Sequence, residues 1–346
     1  MMLKLPVSRL EELYALISGE RKLYLPIEES GLLQFGLWAP GAAVRFDRLN
    51  TAKSPKDFFF PQTENLAAFK LKGKEIIIEE NRDPAEPFVV FGVRACDAAS
   101  LSLLDRVFLS DPIDTFYQMR RQNGVVITAA CAEPEETCFC GVFGVDPAAP
   151  GGDVSTWIAG DTFYWKSLTD AGNALTEKVK GVFANADGKD DTALADQQAK
   201  AKKLFDQLPL NKQSLEGFTG DALMEKFNAP QWSELYRACL GCGTCTFVCP
   251  TCHCYDIQDF DTGRGVKRFR CWDSCMYSEF TMMAHGNPRV SQLERFRQRF
   301  MHKLVYFPDN NDGAYACVGC GRCVAKCPIS MNIVKVIKAL GVDSNV

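Results

Sequence analysis

Two runs of cysteines hold the residues of this sequence best suited to chemistry. Cys239-Leu240-Gly241-Cys242-Gly243-Thr244-Cys245-Thr246-Phe247-Val248-Cys249-Pro250 and Cys317-Val318-Gly319-Cys320-Gly321-Arg322-Cys323-Val324-Ala325-Lys326-Cys327-Pro328 share the same spacing, each closed by proline. A tight loop carrying the first three thiolates can wrap one face of an iron-sulfur cubane, while the fourth thiolate points away and ligates a second one. The spacing therefore predicts two [4Fe-4S] clusters. One takes Cys239, Cys242, Cys245 and Cys327, the other Cys317, Cys320, Cys323 and Cys249. Gly241, Gly243, Gly319 and Gly321 let the backbone approach a cluster at positive φ, and Pro250 and Pro328 turn the chain after the fourth ligand. A pair of zinc ribbons is the competing reading, but it has no use for the third cysteine or the Cys-Pro ending.

Two further sets remain. Cys252 and Cys254 flank His253 directly after the first run, and Cys271 and Cys275 follow later. If Cys271 starts or precedes a helix through Met276 to Ala284, Cys271 and Cys275 share one helix face. A third cubane, a zinc site and free or packed thiols all stay open there, and Cys252 could replace Cys249 as a ligand. In the N-terminal half, Cys96 and Cys131 each lie just past the carboxyl end of an expected strand, with Cys138 and Cys140 on the loop beyond. That edge of an open parallel sheet is where ligands bind, so these four form a candidate cluster, set against plain buried cysteine.

The elements that must position these residues can be sketched. Phe88 to Arg94 and Val125 to Ala130 are apolar, β-rich runs separated by helical stretches of about Ala98–Leu109 and Pro112–Arg121. This is a strand-helix-strand pattern with parallel neighbours. Residues 147–160 read as a Pro/Gly-rich loop, and Thr192–Leu208 as a solvent-facing helix. A basic amphipathic helix is expected over Ser291–Tyr306 and a short one over Met331–Leu340. The expected architecture is an α/β N-terminal domain over residues 1–230, able to hold its own cluster, and an α+β C-terminal domain over 231–346. The latter contains a bacterial-type dicluster ferredoxin-like fold with a long insertion, 252–316.

The chain has 346 residues, 47% of them hydrophobic, and a formal charge of -4. No run of eighteen apolar residues and no apolar leader after the opening Met1-Met2-Leu3-Lys4 is present, so a cytoplasmic protein without a membrane partner is expected. Sixteen cysteines in a reducing compartment point to metal ligation rather than disulfides. The charge is too small to argue for nucleic acid, although residues 231–346 carry about +4 against about -8 elsewhere. Arg264, Lys267, Arg268 and Arg270, with Arg295, Arg297, Arg299 and Lys303, read either as a docking face or as a solvated one. Phe58-Phe59-Phe60 reads as core. His253, His285 and His302 are the only histidines and read as packed or surface residues. No Gly-rich phosphate loop follows an expected strand, which predicts no flavin or nucleotide here. No general acid, base or nucleophile is evident.

Several stretches together carry a resemblance: Ser54-Pro55-Lys56 through Phe60-Pro61-Gln62, Phe91-Gly92-Val93-Arg94-Ala95-Cys96-Asp97, Cys138-Phe139-Cys140, Cys249-Pro250-Thr251-Cys252-His253-Cys254, Trp272-Asp273-Ser274-Cys275, and the last ferredoxin motif. The sequence resembles the iron-sulfur subunit family that includes the beta subunit of sulfhydrogenase-type soluble [NiFe]-hydrogenases, the iron-sulfur subunit of anaerobic sulfite reductase, and the iron-sulfur subunit of flavin oxidoreductases that feed heterodisulfide reductases. The extra Cys271 departs from the sulfite reductase member. The resemblance implies a conduit that links a flavoprotein NAD(P)-binding subunit with a catalytic redox subunit and passes electrons one at a time. A cluster-based redox sensor, and a self-sufficient reductase with substrate at the N-terminal sheet edge, are the rival readings.

Overall fold

The computed structural model describes the chain except residues 1, 49, 81, 83–85, 221 and 342–346, so Met1 of the opening and the end of the C-terminal stretch lie outside it. Twelve strands are described: β1 (Leu3–Pro6), β2 (Lys22–Glu29), β3 (Leu32–Leu37), β4 (Thr63–Lys72), β5 (Glu75–Glu80), β6 (Phe88–Val93), β7 (Gly124–Ala129), β8 (Val154–Ala159), β9 (Thr162–Ser167), β10 (Ala184–Asn185), β11 (Tyr255–Asp261) and β12 (Val266–Trp272). Eight of them form a mixed sheet in the order β10-β1-β9-β8-β7-β6-β2-β3. Its middle, β8-β7-β6-β2, is parallel. Phe88-Val89-Val90-Phe91 and Val125-Val126-Ile127 are buried throughout, as strands covered on both faces must be.

Helices cover both faces. Leu13 and Ile17 of the helix Leu10–Glu20 and Leu175 and Val179 of the helix Asp170–Val179 pack with Phe91 and Trp165 on one side. On the other, Leu101, Leu104 and Phe108 of the helix Ala95–Phe108 recur at helical spacing and meet Phe59, Phe60, Tyr117 and Trp272. This helix begins directly after β6, so Cys96 sits in its first turn. The second helix of the expected pair is Thr115–Asn123, capped by Asp114, whose carboxylate accepts from the amides of Phe116 and Tyr117. Phe59 and Phe60 are fully buried, as their run predicts.

Three expectations are corrected. The loop placed over 147–160 ends early, because Val154–Ala159 pairs with β7 and β9 as the buried strand β8. No helix runs through Met276 to Ala284; only a short turn forms at Glu279–Thr281. Cys271 lies instead on β12, opposite Asp256 of β11 and Thr63 of β4. The sheet β11-β12-β4-β5 therefore joins residues from both sides of position 230.

The C-terminal stretch has its own core of Trp232, Met276, Phe296, Phe300, Leu304 and Ile337. The helix Gln292–Met301, opened by a capping box of Ser291 and Glu294, continues through a π-helical turn at His302–Tyr306. Phe139, between Cys138 and Cys140, is buried in this same core. Among the described residues, no helix is long and apolar enough to cross a membrane.

Candidate metal centres

Each ferredoxin loop feeds a short helix, Thr244–Phe247 and Arg322–Ala325, and the two helices pack together. Cys249 follows the first helix as Cys327 follows the second. Cys249 is close enough to Cys317, Cys320 and Cys323 for its thiolate to raise their pKa values, so the chain brings the fourth cysteine of one motif to the other. Burial above all pushes Cys317 up to about 12. In the first loop, Cys239 stands beside Cys245, its Sγ accepts from the amide of Gly241 at 3.4 Å, and Cys242 is exposed. Cys327 Sγ lies 3.3 Å from the carbonyl of Met331.

The N-terminal four also converge. Cys131, Cys138 and Cys140 are buried together against Phe205, with Cys96 packed on them. Burial raises all four thiols, Cys138 and Cys140 up to about 12. Cys320 is close enough to raise Cys96 and Cys138 further, so this set abuts the second ferredoxin loop. The join is backbone on backbone. The amide of Phe139 donates to the carbonyl of Gly319 at 3.0 Å, and a Cβ at Gly319 or Gly321 would collide with the carbonyls of Phe139 and Thr137. Arg322 fastens it with a fork to the Asp97 carboxylate at 2.5 and 2.7 Å and bonds to the Thr51 carbonyl and hydroxyl, all buried.

Of the remaining set only three thiols meet. A hydrogen bond from Cys252 lowers Cys249, and Cys254 is likewise lowered by a hydrogen bond from Cys275. Cys271 is elsewhere, with the carboxylates of Asp256 and Asp273 as its charged neighbours, because its strand pairing turns it away. The four-thiol set expected from one helix face does not form.

The basic residues are not one face. Arg268 pairs with Asp259 on the surface, but Arg270 is buried between Glu64 and Asp114. Arg299 and Lys303 are buried against Cys252 and Cys249. Burial opposes the charge of Lys303, yet the neighbouring sulfurs of Cys249 and Cys252 outweigh it and hold the ammonium above its ordinary value. Lys56, for which sequence reasoning had no role, donates to the carbonyls of Cys249 and Cys252 at 3.0 and 2.8 Å. His253 and His302 pack ring to ring, and burial lowers them to about 4 and about 3, so both stay neutral.

These residues fit iron-sulfur cubanes. The donors are thiols, the glycines admit close backbone approach, and Arg299 and Lys303 face the sulfurs with no carboxylate among the described residues within ion-pair distance of them. A buried thiol with a raised pKa gives up its proton when metal binds. What the site defines is thus an iron-sulfur electron-transfer protein, and residues 238–331 match the family described as a 4Fe-4S dicluster domain. Over 318 residues, 91% of each chain, the sequence is 32% identical to sulfhydrogenase 2 subunit beta of Pyrococcus furiosus. The chain belongs to this iron-sulfur beta-subunit family.

Proposed function

We propose that the chain relays single electrons inside a multi-subunit cytoplasmic oxidoreductase, linking an NAD(P)H-linked flavoprotein subunit with a catalytic subunit of hydrogenase or heterodisulfide reductase type. The observation that carries this reading is the file of adjacent thiols. It runs from Cys239 through Cys245 and Cys249 to Cys320, and on to Cys96 and Cys138, with the exposed Cys242 on the same first loop. In this reading Cys239, Cys242, Cys245 and Cys327 hold one cubane, Cys317, Cys320, Cys323 and Cys249 a second, and Cys96, Cys131, Cys138 and Cys140 a third. A bound cubane stores and releases one electron, and the protein supplies placement and electrostatics. Gly319 and Gly321 let the two innermost cysteine sets approach, Arg322 and Asp97 lock them, and the aromatic core around Phe139 keeps water out. Cys252, Cys254 and Cys275 line the Cys249 side without Cys271.

The test is anaerobic purification with iron analysis, EPR of the reduced protein and identification of copurifying chains. About twelve irons per chain, at four per cubane, are expected, together with a flavoprotein and a redox enzyme. About eight irons would remove the N-terminal cubane. A sulfite reductase as the copurifying enzyme would replace the hydrogenase or heterodisulfide reductase assignment.

A further inference from the structure

Lys56, and Arg299 and Lys303 four residues apart on a helix remote from it in sequence, are buried cations that meet Cys249 or Cys252. Lys303 Nζ lies 3.4 Å from Cys249 Sγ, and it donates to the Thr251 hydroxyl and the Ala316 carbonyl at 2.9 and 2.8 Å. Arg299 Nη1 lies 3.4 Å from Cys252 Sγ, Nη2 donates to the Cys245 carbonyl at 2.8 Å, and its buried Nε has no partner. Among the described residues, Lys56 Nζ touches carbonyls and the Trp272 ring, 3.6 Å from its centre, and no sulfur.

Among the described residues, no carboxylate is within ion-pair distance of any of the three; Asp57, beside Lys56, turns to Lys53. Buried cations without an anion are costly, and neutral carbonyls offset only part of that cost. The compensating charge must come from sulfur. A cubane held by four thiolates is dianionic when oxidised and trianionic when reduced, so cations at its ligands favour the reduced form.

We propose that Lys303, assisted by Arg299 and Lys56, raises the redox potential of the centre that Cys249 completes. This rests on the reading that Cys249 joins Cys317, Cys320 and Cys323. Position separates the roles: Lys303 neighbours Cys249 and Cys317, whereas Arg299 also neighbours Cys245 of the first loop. Loss of Lys303 acts on one centre; loss of Arg299 acts on both.

EPR-monitored redox titration of the full chain, purified anaerobically, tests this. In Lys303→Met at unchanged iron content, the reduced-to-oxidised ratio of one cluster signal at fixed potential falls about tenfold, about 59 mV more negative for one electron, while the other signals hold. Lys303→Arg keeps the charge and stays near wild type. Unchanged midpoints in Lys303→Met overturn the proposal. Where Lys303→Met loses iron, Lys56→Met decides, since its ammonium touches no sulfur: a smaller shift of the same sign supports the proposal, and no shift overturns it. Cys249→Ser tests the ligand assignment separately. It alters the signal of that same centre, and leaving every signal intact overturns the assignment whatever Lys303→Met does.

Discussion

The two ferredoxin loops have the same spacing and opposite surroundings. In the first, Cys242 is exposed and Leu240 is 65% exposed; a Cβ on Gly241 would meet only the Gln292 side chain, at 3.7 Å. In the second, Cys320 is buried, and Gly319 and Gly321 lie against the backbone of residues 137–140. The residue before the third cysteine differs accordingly. Thr244 hydrogen-bonds Cys242 and lowers its pKa, whereas Arg322 is drawn into a buried pair with Asp97. Spacing thus specifies how thiolates are presented, and the flanking side chains and packing specify who can reach them. In the proposed relay the exposed loop serves as the terminus for electron exchange and the buried one as the internal junction.

The sharpest way to break this contrast is at the glycines. Gly319→Ala or Gly321→Ala sets a methyl against main chain at positive φ, so a loss of about 5 kcal/mol or outright failure to assemble the inner centres is expected. Gly241→Ala costs about 1–3 kcal/mol, from backbone strain alone. Anaerobic denaturation with iron analysis measures both, and equal losses would dissolve the distinction. Next is Asp97→Asn, which strands the Arg322 guanidinium and destabilises by about 3–5 kcal/mol. It should leave the EPR signal of the first loop in place; loss of that signal first would reverse the assignment of junction and terminus.

Access provides a third comparison. Under a ferrous chelator and mild oxidant, iron tied to Cys242 should leave before iron tied to Cys320, as a fast phase in the absorbance decay. A single phase removing all iron would contradict the exposure difference. The smallest effect is expected at Cys271→Ser, with iron content unchanged and stability within about 0.5–1 kcal/mol of wild type, since its thiol joins no cysteine set. A drop of about four irons in that variant would restore the four-thiol reading.

The two ferredoxin motifs, the parallel pairing of β6 with β7 and the grouping of Cys96 with Cys131 were readable because each is a local signal. Cysteine spacing follows the cluster's shape, and apolar runs follow strand burial. Cys271 was misplaced because a helical register was assumed where β12 pairs with β4, a contact from about two hundred residues away that no local pattern announces. Arg299 and Lys303 looked like members of a basic helix face. On that helix Arg295 and Arg297 are half-buried and bond to the carbonyls of Arg289, Val290 and Phe227, whereas these two point inward at sulfur.

The sequence by itself determined the donor atoms and hence the cofactor class, since thiol chemistry and loop length are properties of neighbouring residues. Only the tertiary structure decided that Cys271 stands apart from Cys252, Cys254 and Cys275, which loop faces solvent, and that Lys56, Asp97 and Arg322 bind the two halves around those cysteines. Charge burial and backbone contact are sums over residues remote in sequence, and they acquire a value only when the chain is folded.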